Sequence, residues 1–147
     1  MDKSTLVTGS SDGQVAIWDI HSHLLGLNVA SQSVLISSYP AHDCAIRKVS
    51  ACPTSPNLFM TCGNDGRLFI HDIRQPWCPL PIHRIRAFMS GVSWCQEKVV
   101  FADGDNMVRV LTDGVEGLSE NGFNKTQRST AIARSVGYVW VRVDLNQ

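Results

Sequence analysis

Four of the aspartates in this 147-residue chain, Asp12, Asp65, Asp103 and Asp105, are candidates for acid–base chemistry. Paired carboxylates can move protons in hydrolysis. All four stand at predicted hairpin turns, however, where an aspartate accepts hydrogen bonds from nearby backbone N–H groups. The sequence also lacks a Gly-rich phosphate loop, a G-x-S-x-G motif and an H-E-x-x-H motif. We therefore predict no catalytic residue, no cofactor, no small-molecule substrate and no enzyme activity.

Two sets of residues have the side-chain types that bind metals. His21 and His23 would share one face of a strand, and Cys44 and Cys52 lie close to His42 in sequence. Neither spacing matches a zinc site with its full ligand set, so we expect solvated histidines, inert cysteines and no metal. The chain has five cysteines and no C-x-x-C pair. This usage indicates a reducing compartment.

The elements that must position these residues are repeated along the chain. Three segments align so that Asp12, Asp65 and Asp105 take equivalent places, 53 and 40 residues apart. In each, a short β-branched or aromatic run meets a tight turn and a second apolar run follows. Asp-Gly between two such runs predicts a β-hairpin, because the turn requires positive φ. The segments are 6–20, 59–73 and the weaker 100–112.

Further strands are expected around these hairpins. One precedes the second hairpin at residues 46–52, and another precedes the third at residues 89–94. The longer first period contains residues 22–39, which we predict to hold an outer strand and a long loop. Both faces of the hairpin strands are apolar, so the strands are expected to be buried between neighbouring sheets.

The first hairpin resembles the WD40 repeat, because Asp12-Gly13 is followed by Trp18-Asp19. In the second, Ala41-His42 resembles the pair that opens a repeat, and Thr61 and Asp65 take the family's Ser/Thr and turn-aspartate positions. His71 replaces the usual tryptophan. The resemblance implies a hydrogen-bonded chain through His42, Asp65 and Thr61, with its last member changed. The residues to which it assigns structural roles are Thr8, Asp12, Gly13, Trp18, Asp19, His42, Thr61, Asp65, Gly66 and Asp72.

The resemblance implies an all-β fold, a partial WD40 β-propeller of about three four-stranded antiparallel blades. Residues 1–112 hold the repeats, and residues 113–147 are either a degenerate last blade or an irregular C-terminal tail. Strands within that tail are expected at 131–133 and 138–143. Propellers have about four to eight blades, so three do not close a ring. We expect a fragment, a shortened isoform, a truncated gene model or one piece of a larger assembly.

Composition narrows the class of function. Lysine plus arginine equals aspartate plus glutamate, 13 against 13, which argues against a basic nucleic-acid clamp. No apolar run of about 18 residues exists, so no membrane contact is expected.

The resemblance implies a non-catalytic scaffold that binds other protein subunits. Residues 72–80 are similar to a segment of the WD-repeat subunit of general transcription factor IIIC. That similarity implies RNA polymerase III transcription, indirect or weak DNA contact within a complex, and a nuclear location, with the cytoplasm as the alternative.

A second interpretation is a substrate receptor for a cullin-RING ubiquitin ligase. Residues 64–74 resemble the box by which WD proteins bind the ligase adaptor, and Arg74 would supply the contact through its planar guanidinium. The alternative is that Arg74 only braces its blade by pairing with a nearby acid. Other basic side chains in this region are either partner contacts or solvated arginines. The candidate partner-binding residues are Arg47, Arg74, Arg84 and Arg86.

Overall fold

The computed structural model describes residues 5–20, 34–95, 98–105 and 107–111, together with the backbone of a strand at 138–142. All of the regular structure in these residues is β-strand, which confirms the all-β prediction. No helix in this part of the chain has the length and apolar character needed to cross a membrane. The predicted histidine pair at 21 and 23 and the predicted strand at 131–133 lie outside the described residues.

The strands form three antiparallel sheets, each built from neighbours in sequence. The first sheet consists of β1 Thr5–Gly9, β2 Gln14–Asp19 and β3 Val34–Pro40. The second consists of β4 Ile46–Ala51, β5 Leu58–Gly63, β6 Arg67–Asp72 and β7 Leu80–Arg84. The third consists of β8 Met89–Cys95, β9 Lys98–Asp103, β10 Met107–Leu111 and β11 Tyr138–Arg142. This arrangement is that of a partial WD40 β-propeller.

Strand β11 coincides with the strand that the sequence predicts at 138–143, and the structure shows where it pairs. Its residues align with β10 in antiparallel register, from Met107 opposite Arg142 to Leu111 opposite Tyr138. It is therefore the fourth strand of the third sheet. The first sheet has three described strands, and Leu6 lies in the first of them, opposite Trp18.

The two Asp-Gly turns have the backbone geometry that the sequence requires. Gly13 and Gly66 have φ values of 85° and 70°, a region that disfavours residues with a Cβ. The turn at Gly13 also holds the connection from β3 to β4, because its carbonyl accepts hydrogen bonds from the backbone N–H groups of Ala41 and His42 at 3.0 and 3.1 Å. These bonds fix the entry of the chain into the second repeat.

Two apolar cores lie between the three sheets. Side chains alternate along each strand, so the middle sheet contributes to both cores. The core between the first and second sheets contains Val15, Ile17, Tyr39, Ala41 and Phe59. The core between the second and third sheets contains Cys52, Leu58, Met60, Cys62, Leu68, Ile70, Leu80, Met89, Val92, Val99, Phe101 and Leu111. The middle sheet is thus covered on both faces, and strands β5 and β6 are buried almost throughout.

Candidate functional site

The polar centre of the second sheet begins with His42 and Asp65. His42 Nδ1 lies 2.9 Å from Asp65 Oδ1, and neither side chain is more than 6% exposed. Asp65 also accepts hydrogen bonds from the backbone N–H groups of Arg67 and Asp43, at 3.1 and 3.2 Å. Burial alone would raise the pKa of Asp65, but the hydrogen bonds from His42, Arg67 and Asp43 outweigh it and lower the pKa. The carboxylate thus closes the hairpin turn and orients the imidazole.

Thr61 connects this pair to a second histidine. Its Oγ1 lies 2.8 Å from His42 Nε2 and 2.8 Å from His71 Nε2. On the far side of His71, Nδ1 lies 2.9 Å from the hydroxyl of Tyr39. Tyr39 belongs to β3 of the first sheet, so the chain of contacts crosses between sheets. The sequence predicted His42, Asp65 and Thr61 with a changed last member at His71, and the structure adds Tyr39.

When both rings are neutral, the donors and acceptors of these groups determine which ring nitrogen of each histidine carries the proton. Asp65 accepts, so His42 carries its proton on Nδ1 and its Nε2 accepts from the Thr61 hydroxyl. The Thr61 oxygen then accepts from the Nε2–H of His71. The remaining nitrogen of His71, Nδ1, accepts from the Tyr39 hydroxyl. The two histidines therefore hold opposite tautomers.

His71 is fully buried and stacks on an aromatic ring. Its ring centroid lies 4.6 Å from that of Phe59, with the planes within 3° of parallel. Burial, and to a smaller extent the nearby His42, lower the pKa of His71 to about 3. An imidazole in these surroundings is neutral at physiological pH. It is suited to holding hydrogen bonds and unsuited to acting as a general base near pH 7.

In the first sheet, the pair equivalent to Thr61 and His71 is a threonine and a tryptophan. Trp18 Nε1 donates to Thr8 Oγ1 at 3.0 Å. At the turn, Ser10 Oγ donates to the Asp12 carboxylate, and the Gln14 backbone N–H donates to it at 3.1 Å. These bonds, that from Ser10 foremost, lower the pKa of Asp12. The predicted turn and pair residues of this repeat therefore contact one another.

The third sheet has lost this polar pair. Phe101 and Leu111 occupy the positions equivalent to Thr61 and His71, counted from Asp105, and both are buried in the core against the second sheet. The turn bonds are made by Asp103, which accepts from the backbone N–H groups of Asp105 and Met107 at 3.0 and 3.1 Å. Its carboxylate also accepts from Arg109 Nε at 2.6 Å. Sequence alignment alone favoured Asp105 for this turn position.

The structure separates the candidate partner-binding arginines. Arg74 lies after β6 and donates through Nε and Nη2 to the carboxylate of buried Asp72, at 3.0 and 2.8 Å. Arg84 ends β7 at the opposite end of the strands, and Arg86 follows it; both are exposed. Arg47 is exposed on β4. The set does not form one continuous basic surface, and its role in binding stays a prediction.

The described polar groups form hydrogen bonds within turns and between neighbouring strands. No cluster of three or more histidine, cysteine or carboxylate side chains in the described part of the chain could hold a metal. Cys44 is exposed and Cys52 is buried, so these two thiols do not face one site with His42. The buried carboxylates of Asp65, Asp72 and Asp103 each accept from a neighbouring turn N–H and from a ring or guanidinium N–H.

Sequence reasoning missed Tyr39 and Arg109. Tyr39 follows a serine-rich stretch and is 32 residues from His71, so no local pattern links them. The one available signal was His71 itself, because replacing a tryptophan by a histidine adds an acceptor that needs a donor. Arg109 alternates with apolar residues in β10, which is consistent with an inward-facing charge that needs a partner.

Antiparallel sheets stacked in sequence, Asp-Gly turns and Thr–Trp or Thr–His pairs are typical of WD-repeat proteins, and comparisons with known proteins support the same class. The profile of the family "WD domain, G-beta repeat" matches residues 1–19 and 33–72, which span the first sheet and most of the second. The third sheet, where the polar pair is replaced, lies outside the match.

A related sequence is the methylosome protein WDR77 of Xenopus laevis. It is 34% identical over 110 residues, which cover 71% of this chain and 29% of the relative. The chain therefore spans less than a third of the length of the relative that it matches. Neither comparison supports the resemblance to transcription factor IIIC or a role as a ligase receptor.

Proposed function

We propose that this chain is a non-catalytic protein-interaction subunit of a larger complex. The observation that carries the proposal is the exposed Trp77 on the loop between β6 and β7. Its side chain is 76% exposed, more than any other large hydrophobic side chain among the described residues. Tryptophan and arginine dominate the binding energy of protein interfaces, and Arg74 lies three residues away on the same loop.

This loop is held in a fixed shape. The backbone N–H groups of Gln75 and Cys78 donate to the carbonyls of Asp72 and Gln75, at 2.9 and 3.2 Å. Asp72 anchors both the backbone and the guanidinium of Arg74. Pro76 in this loop is buried. A preformed loop loses little conformational entropy when it binds, which favours affinity.

The likeness to WDR77 supports membership of a multisubunit complex such as a methylosome. The two interpretations drawn from sequence, a subunit of transcription factor IIIC with a nuclear location and a cullin-adaptor receptor, rest on sequence resemblance alone, within residues 41–112 and 64–74 respectively, and remain predictions. In the second, Arg74 would be the adaptor contact. Its pairing with Asp72 supports the bracing role more directly, because the carboxylate already occupies two guanidinium nitrogens.

The test compares two exposed aromatic side chains at opposite ends of the strands. Tagged wild type, Trp77→Ser and Phe88→Ser are expressed in cells, and their stoichiometric partners are identified by mass spectrometry. Phe88 is 43% exposed and precedes β8, so it controls for the loss of an exposed ring. We expect methylosome subunits with wild type and Phe88→Ser, and their loss with Trp77→Ser.

The other outcomes separate the alternatives. Recovery of transcription factor IIIC subunits or of the cullin adaptor, in place of methylosome subunits, would replace the proposed complex with the one recovered. Equal recovery of partners with Trp77→Ser would exclude the loop as the binding surface. A wild-type chain that brings down no stoichiometric partner would overturn the scaffold proposal.

A further inference from the structure

We propose that Tyr39 and His71 form a proton-sensitive lock between the first and second sheets. The lock is closed while His71 is neutral, and it opens when His71 takes up a proton. Three features support it: the donor and acceptor atoms of the two side chains, the position of their bond, and the groups that surround it.

The replacement of tryptophan by histidine creates the lock. Trp18 in the first sheet offers one N–H and has no ring acceptor, so its polar contact ends at Thr8. His71 contacts Thr61 in the same way but has a second nitrogen. That nitrogen points out of its own sheet and lies 2.9 Å from the Tyr39 hydroxyl. The added acceptor is thus matched by a donor from the preceding sheet.

The bond lies inside the core between the two sheets. Tyr39 is the cross-strand partner of Val15, and both side chains are buried with Phe59 from the second sheet. Apolar contacts such as these are non-directional. A buried hydrogen bond has a preferred geometry, so the Tyr39–His71 bond fixes how the two sheets are aligned.

The neighbours of His71 decide what a proton does to this bond. Tyr39 faces it from β3, Phe59 and Thr61 from β5, Phe69 from β6, and His42 from the preceding turn through Thr61. The carboxylate of Asp65 contacts His42 rather than His71. A proton on His71 therefore makes a buried cation against aromatic rings. Its Nδ1 then donates to Tyr39 instead of accepting, so the cost comes from burying the charge and not from losing the bond. The consequence is a cost in free energy that separating the sheets relieves.

Protonation of His42 has a different result. Asp65 compensates its charge, and Thr61 can reverse its hydroxyl so that it accepts from His42 and donates to His71. His71 then donates from Nδ1 to Tyr39, and the bond across the interface persists with its direction reversed. Only the proton on His71 opens the lock, so the two histidines can be told apart by experiment.

The first experiment measures the tautomers in the full chain. Long-range ¹H–¹⁵N correlation spectra at pH 7 are expected to place the proton of His42 on Nδ1 and that of His71 on Nε2. Hydrogen exchange then gives protection factors for the backbone amides of β2, β3 and β5. These are measured at several pH values between 6.5 and 4.5. Burial lowers the pKa of His71 from 6.5 to about 3, so opening is expected to increase about 50-fold between pH 6.5 and pH 4.5.

Variants identify the groups responsible. Tyr39→Phe removes the donor, His71→Trp removes the acceptor, and the double variant restores the arrangement of the first sheet. We expect each single variant to lose more protection at pH 6.5 than the double variant, and His71→Trp to lose the pH response. The proposal is overturned by additive single effects, by an unchanged pH response in His71→Trp, or by an Nδ1–H tautomer of His71 in the neutral wild type. If a variant does not fold, the tautomers and the pH dependence of hydrogen exchange in the wild type still test the proposal.

Discussion

Trp18 and His71 occupy the same position in successive repeats. Each lies ten residues after a threonine and contacts its hydroxyl, Trp18 Nε1 at 3.0 Å from Thr8 and His71 Nε2 at 2.8 Å from Thr61. The two rings therefore serve the same threonine position with different chemistry. The environment also differs, because Thr8 is exposed whereas Thr61 is buried between two sheets.

This difference predicts unequal effects for one substitution. Thr61→Val keeps the side-chain shape but removes the hydroxyl that joins His42 to His71. Two buried ring nitrogens would lose their partner, so we expect the free energy of unfolding to fall by about 2 to 4 kcal/mol. Urea denaturation, followed by tryptophan fluorescence, measures this change. Thr8→Val is the matched control, and we expect it to cost less than about 1 kcal/mol.

Equal losses in the two threonine variants would contradict this account. They would mean that the Thr61 hydroxyl contributes no more in the buried chain of hydrogen bonds than Thr8 does at the surface. A smaller loss in Thr61→Val than in Thr8→Val would show that the buried histidines find other partners.

Local sequence patterns predicted the hairpins because their causes are local. Gly13 and Gly66 have the positive φ that an Asp-Gly turn requires. The apolar residues on both faces of the hairpin strands predicted burial between neighbouring sheets, which is correct for β5 and β6 but wrong for β1, whose residues are exposed or half-buried. His42, Thr61 and Asp65 could be linked through their resemblance to a known repeat. For these features, the physical cause and the sequence signal lie within one repeat.

The rest depends on contacts between repeats. Tyr39 reaches His71 across a sheet interface, and no spacing rule specifies how two sheets pack. Strand β7 contains Pro81, which weakens a strand pattern but is acceptable at the edge of a sheet. In the third repeat, the turn acceptor is Asp103 rather than Asp105, and Asp103 also accepts from Arg109 in the neighbouring strand. These three features could be identified only from the three-dimensional structure, because each depends on contacts between strands or sheets.

The ion pair between Asp103 and Arg109 gives a second prediction. Their side chains are 0% and 15% exposed, and Arg109 Nε lies 2.6 Å from the carboxylate. Arg109→Met would leave the buried carboxylate with its turn N–H groups but without its cation. We expect a loss of about 3 kcal/mol in the free energy of unfolding. Chemical denaturation at neutral pH measures it.

Arg67 provides the control for this substitution. Its guanidinium pairs with Asp43 at 2.7 Å, but the two side chains are 31% and 68% exposed. Solvent screens such a pair, so Arg67→Met is expected to change stability by less than about 1 kcal/mol. If Arg67→Met and Arg109→Met lowered the free energy of unfolding equally, burial of the Asp103–Arg109 pair would not explain the loss in Arg109→Met.

Two glycines give a third prediction. Gly66 has φ of 70°, and a Cβ on it would lie 2.3 Å from the carbonyl oxygen of Ile85. Gly66→Ala is therefore expected to lower the free energy of unfolding by more than about 1 kcal/mol. A Cβ on Gly91 would meet no atom within 4 Å, so Gly91→Ala is expected to be neutral within about 0.5 kcal/mol. Similar losses in both variants, measured by thermal unfolding, would exclude the turn geometry as the cause.

The thiols give a fourth prediction, which tests the core between the second and third sheets. Cys44 and Cys95 are exposed, whereas Cys62 is buried, and burial raises the pKa of its thiol to about 12. Because the thiolate is the reactive form, a thiol-specific reagent at pH 8 should modify Cys44 and Cys95 rapidly and Cys62 only after denaturant is added. Peptide mapping of the labelled protein identifies each site. Rapid labelling of Cys62 in the native chain would mean that the second and third sheets separate readily, and the core described between them would then not be stable in solution.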